Sequence, residues 1–172
     1  MKKTIDEVLA EAAIRDVQIR YCRAVDRKDF DLLRTCFHPD ANLSFGIFNA
    51  SVEEFVGIAG QMLATYTTTR HFTGNQLVDV NGNRAWAEHY TDATHRIAPD
   101  KNGPLREFVT RVRYVDSLES RDGDWRIVKR VCVLDLWHTD VITDEPGPDV
   151  QLGRRDRSDA SYSLQLSPEM AS

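Results

Sequence analysis

The second half of the chain holds four strand-like segments in succession, and this run restricts the possible folds more than any other feature. The segments cover approximately Arg70–Val80, Arg84–Ile97, Leu105–Leu118 and Trp125–Leu136. Asn81-Gly82-Asn83 is a turn sequence typical of a two-stranded hairpin, and turns rich in Pro, Asp and Gly separate the later segments. Strands that are joined by short turns pair as antiparallel neighbours. The sequence therefore predicts an antiparallel sheet built from these segments.

Helical patterns precede the strands. The helices cover approximately Thr4–Asp26, Asp29–Phe37 and Ser51–Thr67, and a short strand near Asn42–Phe45 separates the last two. Thr4 and Glu7 form a capping-box pair at the start of the first helix, and Pro39 forbids continuation of the second. Helices followed by a run of hairpin-linked strands are typical of the α+β class.

The chain has 172 residues, a length at which one hydrophobic core is sufficient for stability. We predict a single α+β domain over residues 1–137. Beyond Trp137 the periodicity is lost and Pro, Gly, Asp, Arg and Ser become frequent. We interpret residues 138–172 as an extended tail that packs on the domain or on a neighbouring subunit. Its cluster of Arg154, Arg155 and Arg157 is interrupted by Asp156.

Charge and motif content exclude several classes of function. The net charge of -5 argues against a nucleic-acid binder, which needs a basic surface. No apolar run approaches the roughly 20 residues of a membrane span, and the charged N-terminal helix does not resemble a signal peptide. Three cysteines without a CxxC pair fit the reducing cytoplasm. Phosphate-loop, dinucleotide and zinc-protease motifs are absent, so we expect no cofactor and no metal.

Tyr21 and Asp26 lie near the end of the first predicted helix, close to its apolar face. A carboxylate near a core must be hydrogen-bonded or take part in chemistry. His71, at the head of a later strand, is the candidate partner, and a His–carboxylate pair can move a proton without metal or coenzyme. Two simpler interpretations stay open: Asp26 could cap the second helix, and Tyr21 could be an ordinary buried aromatic residue.

Two further histidines lie on the strand Arg84–Ile97. Strict alternation places His89 and His95 on one face with small residues, and Trp86 and Tyr90 on the other. Either histidine could face a cavity, or it could be a solvated or interface residue. Arg111 and Arg113 on the next strand could bind a substrate oxyanion, or they could pair with Glu88 and Asp92 at the surface.

These residues carry a family resemblance. The pattern comprises Tyr21, Asp26, Asp29, Leu33, Phe37, Asp40-Ala41, His71 and Asn75. Over roughly Glu11 to Trp137 it resembles the SnoaL-like branch of the nuclear transport factor 2-like superfamily, which includes scytalone dehydratase, bile-acid 7α-dehydratase and the lindane dehydrochlorinase. The resemblance implies a curved antiparallel or mixed sheet wrapped around the N-terminal helices to form a cone-shaped pocket. It also implies that Asp26 and His71 form the catalytic pair, that Tyr21 polarises a substrate oxygen and that His95 is a second pocket histidine.

On this basis we expect a cofactor-independent lyase that acts on a small, largely apolar hydroxylated aromatic or polycyclic compound. Elimination of water is the leading reaction, and release of formaldehyde from a lignin-derived diaryl propanoid is a variant. The substrate-binding candidates are His89, Arg111 and Arg113. Alternatives are a non-catalytic ligand-binding or accessory subunit, an isomerase and an epoxide hydrolase. The resemblance further implies a homo-oligomer, with a trimer favoured over a dimer.

Overall fold

A computed structural model describes residues 2–99, 103–144 and 146–163. Its helices are α1 (Ile5–Arg27), α2 (Phe30–Thr35), α3 (Val52–Ala64) and α4 (Ala160–Ser163). Its strands are β1 (Phe37–Ser44), β2 (Asn49–Ala50), β3 (Tyr66–Asn81), β4 (Arg84–Ile97), β5 (Leu105–Arg121) and β6 (Asp124–Ile142). Within these residues the strands form one six-stranded sheet in the order β2-β1-β6-β5-β4-β3.

The helix starts follow local capping chemistry. The Thr4 hydroxyl accepts from the Glu7 backbone N–H, and the Glu7 carboxylate accepts from the Thr4 N–H, as the sequence predicted. Ser51 and Glu54 form the same reciprocal pair at the start of α3. Asp29, not Asp26, caps α2 by accepting from the Leu32 N–H. The carboxylate of Asp26 is therefore free for another partner.

The sheet is mixed, curved and not closed into a barrel, and its curvature and mixed pairing confirm what the resemblance implied. β3 to β6 pair antiparallel, whereas β1 pairs parallel with β6. The second predicted helix ends earlier than expected, at Thr35, because Phe37 already begins β1. The register of β1 shifts between Phe37 and Asn42, around Pro39, which cannot donate a ladder hydrogen bond.

A bulge in β3 bends the sheet over the helices. Its register shifts between Gly74 and Leu77, so that two residues, Asn75 and Gln76, lie opposite His89. Asn75 has a φ of 48°, a left-handed conformation that Asn tolerates better than most residues. Bulges increase local twist and redirect side chains, so this one curves the strand around α1.

The core lies between the inner face of the sheet and the helices α1 to α3. Ile14, Val17 and Ala24 of α1 are fully buried, as is Leu33 of α2. The inward alternation predicted for β4 is confirmed: Ala87, His89, Thr91 and Ala93 are buried, whereas Trp86 and Tyr90 are exposed on the outer face. The last strand continues to Ile142, beyond the predicted Leu136, because it pairs with β5 along its whole length.

Candidate active site

Asp26 and His71 are brought together at the end of α1. The His71 ring Nδ1 lies 2.7 Å from Asp26 Oδ1, and the His71 backbone N–H donates to Asp26 Oδ2 at 2.9 Å. The Thr69 hydroxyl donates a third hydrogen bond to Oδ1 at 3.0 Å. Because the carboxylate accepts from Nδ1, that nitrogen carries the ring proton and Nε2 is left as the proton acceptor.

The pairing follows from the geometry of one helix and one strand. Polar side chains at four-residue spacing lie on one side of α1, and alternate residues of β3 face them. Gln18 bonds Gln76, Cys22 bonds Thr73, and Asp26 bonds both Thr69 and His71. The polar residues at positions 18, 22 and 26 are a sequence signal for this contact that the apolar pattern alone did not reveal.

His71 forms part of the wall of a cavity of about 280 Å³ between α1, α3 and the sheet. Apolar side chains provide most of its lining, among them Phe45, Phe55, Leu63, Phe108, Val112 and Leu134. The polar groups that reach it include His71, His95, Tyr21 and Tyr114. An apolar cavity with a few converging polar groups is the usual form of a small-molecule site.

His95 lies beside His71, with ring centroids 5.5 Å apart and planes nearly perpendicular. Its Nδ1 is 3.3 Å from the Phe108 carbonyl oxygen, which can only accept, so Nδ1 is the donor. Burial, assisted by the neighbouring His71, lowers the pKa of His95 to about 4. The ring is therefore neutral at pH 7, and its Nε2 is an acceptor rather than a donor toward the cavity.

Tyr21 lines the cavity from α1, and Tyr114 lines it from β5. The guanidinium carbon of Arg130 lies 4.1 Å from the Tyr21 ring centroid and 4.3 Å from that of Tyr114. Burial raises the pKa of both phenols well above the ordinary value, although the positive charge of Arg130 acts in the opposite direction. Both tyrosines therefore stay protonated and can donate a hydrogen bond.

Arg130 forms a bidentate ion pair with Asp116, with both N–O distances at 2.7 Å and both side chains fully buried. The motifs and spacings of the sequence did not single out Tyr114, Asp116 or Arg130. Strand alternation was the available signal, because Tyr114 and Asp116 share the inward parity of Val112 and Leu118. A charged residue at an inward position needs a buried partner, which Arg130 provides.

His89 is fully buried under the Tyr114 ring, with centroids 5.2 Å apart. It does not belong to the cavity lining. Neither of its ring nitrogens has a hydrogen-bond partner among the described residues, and burial lowers its pKa to about 3. It faces the core opposite the β3 bulge, so the structure gives it no route to a ligand in this cavity.

Arg111 and Arg113 lie outside the cavity lining. Arg111 pairs with Asp92 at 3.4 Å, and Arg113 pairs with Glu88 and Asp135. These are surface ion pairs of the kind that the alternative interpretation of the sequence described. Their guanidinium groups are already engaged there, so the geometry gives neither arginine a place at the candidate site.

The described residues bear on two further properties, metal binding and membrane crossing. They contain no group of three or more His, Cys, Asp or Glu side chains placed to hold a metal ion. Within the same ranges, no helix is long and apolar enough to cross a membrane.

The fold and the site together define an α+β protein with a cone-shaped pocket and, in its wall, a histidine that is paired with a carboxylate. The chain belongs to the SnoaL-like domain family, whose model matches residues 6–131. This confirms the resemblance found in the sequence and places the chain in the nuclear transport factor 2-like superfamily. No curated protein matches the sequence.

Solved structures share the fold at low sequence identity. LinA-type3 from Novosphingobium barchaimii, a hexachlorocyclohexane dehydrochlorinase, has a TM-score of 0.71 and 17% identity, with 84% of this chain and 99% of that chain covered. A candidate scytalone dehydratase from Novosphingobium aromaticivorans has a TM-score of 0.68 and 18% identity, with 81% and 91% covered. These likenesses establish the architecture, and some of the neighbours are elimination enzymes.

Proposed function

We propose that this protein is a cofactor-independent lyase that eliminates water from a small, largely apolar hydroxylated substrate. The observation that carries the proposal is the 2.7 Å hydrogen bond between Asp26 and His71, whose ring forms part of the wall of an apolar cavity. The His71 side chain is 6% exposed, so competing water has little access. A positioned base in such a setting contributes about 10²–10⁴-fold to proton transfer.

In the proposed reaction, His71 Nε2 removes a proton from the carbon next to the carbinol carbon. Asp26 holds the ring in the tautomer that leaves Nε2 unprotonated and stabilises the imidazolium that forms. The electron pair of the broken C–H bond forms the new double bond, and the C–O bond breaks. The imidazolium then returns its proton to the departing hydroxide, so the products are an alkene and water.

The oxygen that departs or gains charge needs a hydrogen-bond donor. Tyr21 fits this role, because its phenol lines the cavity and stays protonated. Tyr114 offers a second donor from β5. His95 fits the role of a hydrogen-bond acceptor rather than that of a donor. Its Nε2 lone pair can accept from a substrate hydroxyl and orient it, since Nδ1 is bonded to Phe108.

The cavity supports a substrate class rather than one compound. Aromatic and aliphatic side chains provide most of the lining, which favours hydroxylated aromatic or polycyclic compounds of the kind found in aromatic catabolism. Release of formaldehyde from a lignin-derived diaryl propanoid is a variant of the same chemistry, because it also begins with proton abstraction by a base. The two reactions differ in whether a C–O or a C–C bond breaks.

A substrate panel with mass-resolved products tests the proposal. Hydroxylated aromatic, steroid-like and diaryl propanoid compounds would be incubated with the protein and with His71→Gln. Elimination predicts a product lighter by one water, and deformylation predicts free formaldehyde. Both reactions should be lost in His71→Gln. Tight binding of a panel member without conversion, unchanged in His71→Gln, would instead favour a non-catalytic ligand-binding subunit.

We also propose that the chain forms a homo-oligomer, with a trimer favoured over a dimer as in the resembling enzymes. Phe72, Trp86 and Tyr90 on the two edge-proximal strands are exposed on the outer face of the sheet, and monomeric proteins seldom expose large apolar patches. Light scattering at micromolar concentration should give a multiple of the chain mass, and a monomer would contradict the proposal.

The cytoplasm is the compartment that we propose for this activity. Cys22, Cys36 and Cys132 are all free thiols in the structure, which fits a reducing environment.

A further inference from the structure

Residues 151–163, here called the C-terminal strap, contact the C-terminal ends of α1 and α3 beside Asp26. Arg155 of the strap binds three backbone carbonyl oxygens from different elements. Its Nη1 donates to Leu63 O at 2.9 Å and to Tyr66 O at 2.6 Å, and its Nε donates to Asp26 O at 3.4 Å. One guanidinium group thus joins the end of α1, the end of α3 and the start of β3.

Each of these carbonyl groups belongs to a residue of the candidate site. Asp26 is the partner of His71, and Leu63 and Tyr66 line the cavity. The carbonyl groups of Asp26 and Leu63 lie in the last turns of their helices, where backbone acceptors lack intrahelical donors. A cation is favourable at a helix C-terminus. Arg155 therefore donates to carbonyl acceptors at helix ends, where few backbone donors are available.

The strap is fastened independently of Arg155. Asp159 is buried and accepts from the Arg154 N–H at 2.8 Å and from Ser161, and it also pairs with Arg27 at 3.3 Å. The Tyr162 hydroxyl donates to Asp29 at 2.9 Å. These contacts tie the strap to the junction of α1 and α2 and deliver the guanidinium of Arg155 in a fixed place.

Charge supports the same arrangement. Burial lowers the pKa of Arg155, and the nearby Asp26 carboxylate raises it. The guanidinium group thus places a positive charge near the Asp26 carboxylate, the partner of His71. Arg is suited to this place because its planar fork reaches several acceptors at once, which a lysine ammonium on a flexible stem does not reproduce.

We propose that Arg155 is a positioning residue that holds the Asp26–His71 pair in register and fixes the cavity wall at Leu63 and Tyr66. This inference rests on the proposed function of the site. It assigns a role to the arginine cluster of the tail, in which Arg155 alone reaches three site carbonyls, whereas Arg157 pairs with Asp29 at 3.2 Å and Arg154 contributes its backbone N–H.

The test compares Arg155→Ala and Arg155→Lys with a matched control, Arg154→Ala, which removes an exposed neighbouring arginine side chain. The first measurement is the His71 Nδ1 proton in the ¹H NMR spectrum, which needs no substrate. This proton is sheltered in the wild type by its bond to Asp26. We expect it to exchange rapidly in folded Arg155→Ala, to be partly protected in Arg155→Lys, and to be unchanged in Arg154→Ala.

The second measurement is turnover of the substrate found with the panel. We expect kcat to fall by about 10- to 100-fold in Arg155→Ala, since small misplacements of catalytic groups have effects of this size, and added guanidinium ion should restore part of it. Circular dichroism establishes that each variant is folded. If Arg155→Ala does not fold, the His71 Nδ1 proton signal of Arg155→Lys tests the positioning role instead.

An unchanged His71 Nδ1 proton signal in folded Arg155→Ala would overturn the positioning role. An equal loss of that signal in the control Arg154→Ala would do the same. If no panel compound is converted by the wild type but the proton is still lost in Arg155→Ala, the proposed reaction is wrong and the positioning role stands. If turnover is found and Arg155→Ala retains both full turnover and the proton signal, the proposed reaction stands and the positioning role falls.

Discussion

Two pairs, Asp116–Arg130 and Asp26–His71, each join a carboxylate to a nitrogen-bearing side chain at the inner face of the sheet. Their surroundings differ. Asp116 and Arg130 form two bonds of 2.7 Å and are fully buried, and the Arg130 guanidinium packs against the rings of Tyr21 and Tyr114. Asp26 and His71 share one side-chain bond of 2.7 Å, and His71 borders the cavity.

The difference separates a structural pair from the pair that we propose as catalytic. Arginine does not release its proton in proteins, and Arg130 has no access to a ligand, so the Asp116–Arg130 pair can only hold the core and the two tyrosines in place. His71 keeps an unprotonated nitrogen and adjoins a space that a ligand can enter. A buried carboxylate pair alone does not distinguish the two; the type of the nitrogen side chain and its contact with a cavity do.

The largest expected effect is on turnover in His71→Ala. Loss of the base should lower kcat by about 10²–10⁴-fold while circular dichroism shows an intact fold, since no large apolar group is lost. His138→Ala is the matched control, because His138 pairs with Asp140 at 3.0 Å on the exposed end of β6. Near wild-type turnover in folded His71→Ala would refute the mechanism.

Asp26→Asn should approach the same loss. The amide can present its NH₂ group to His71 Nδ1, which favours the tautomer that carries the proton on Nε2 and cannot act as a base. Steady-state kinetics measure the loss, and ¹⁵N chemical shifts of the His71 ring report the tautomer. A variant with the wild-type tautomer and full turnover would show that the carboxylate is dispensable.

For the buried Asp116–Arg130 pair we expect a loss of stability. Arg130→Met should lower the free energy of unfolding by about 3–5 kcal/mol, because it leaves the Asp116 carboxylate buried without a partner. The double variant Asp116→Leu/Arg130→Met should recover much of this loss. Urea unfolding measures both. Arg113→Met, which breaks surface pairs, should cost at most about 1 kcal/mol, and a similar cost for Arg130→Met would mean that its pair is not structurally important.

The burial of His89 predicts a smaller effect, a change of stability with pH. Its folded-state pKa is about 3, whereas the unfolded chain takes up the proton near 6.5. The stabilisation that comes from keeping His89 neutral is therefore fully present above pH 6.5. The free energy of unfolding then falls as the pH drops from 6.5 toward 3, by at most about 1.4 kcal/mol per pH unit. Urea midpoints between pH 7 and 4.5 should decline less steeply in His89→Gln, and an identical slope would contradict the assignment.

The smallest expected effect is that of chelation. The candidate groups supply a base and hydrogen-bond donors, and no cluster suited to a metal occurs in the described ranges. Turnover should therefore survive prolonged treatment with EDTA. Loss of activity that one divalent ion restores would overturn the metal-free mechanism.

Local features were predictable from the sequence because the interactions that create them are local. The starts of α1 and α3 follow from Thr4 and Ser51 with their capping glutamates, and β4 was predicted with its observed bounds, Arg84–Ile97. Periodicity also gave the inward face of β4 correctly. It could not distinguish His95, which reaches the cavity, from His89, which does not, because both share that face.

Pairings between distant segments were decided by the tertiary structure. The residues alone left open that Asp26 caps a helix. Its bond to His71, 45 positions away, could be expected only from the family resemblance, and only the fold shows it. Three contacts were not predicted from the sequence. They are the parallel pairing of β1 with β6, the buried Asp116–Arg130 pair, and the hydrogen bond from Arg155 to Asp26 across 129 positions. A sequence specifies capping and periodicity within a few residues, whereas contacts at such separations depend on how the sheet curves over the helices, which only the packed core determines.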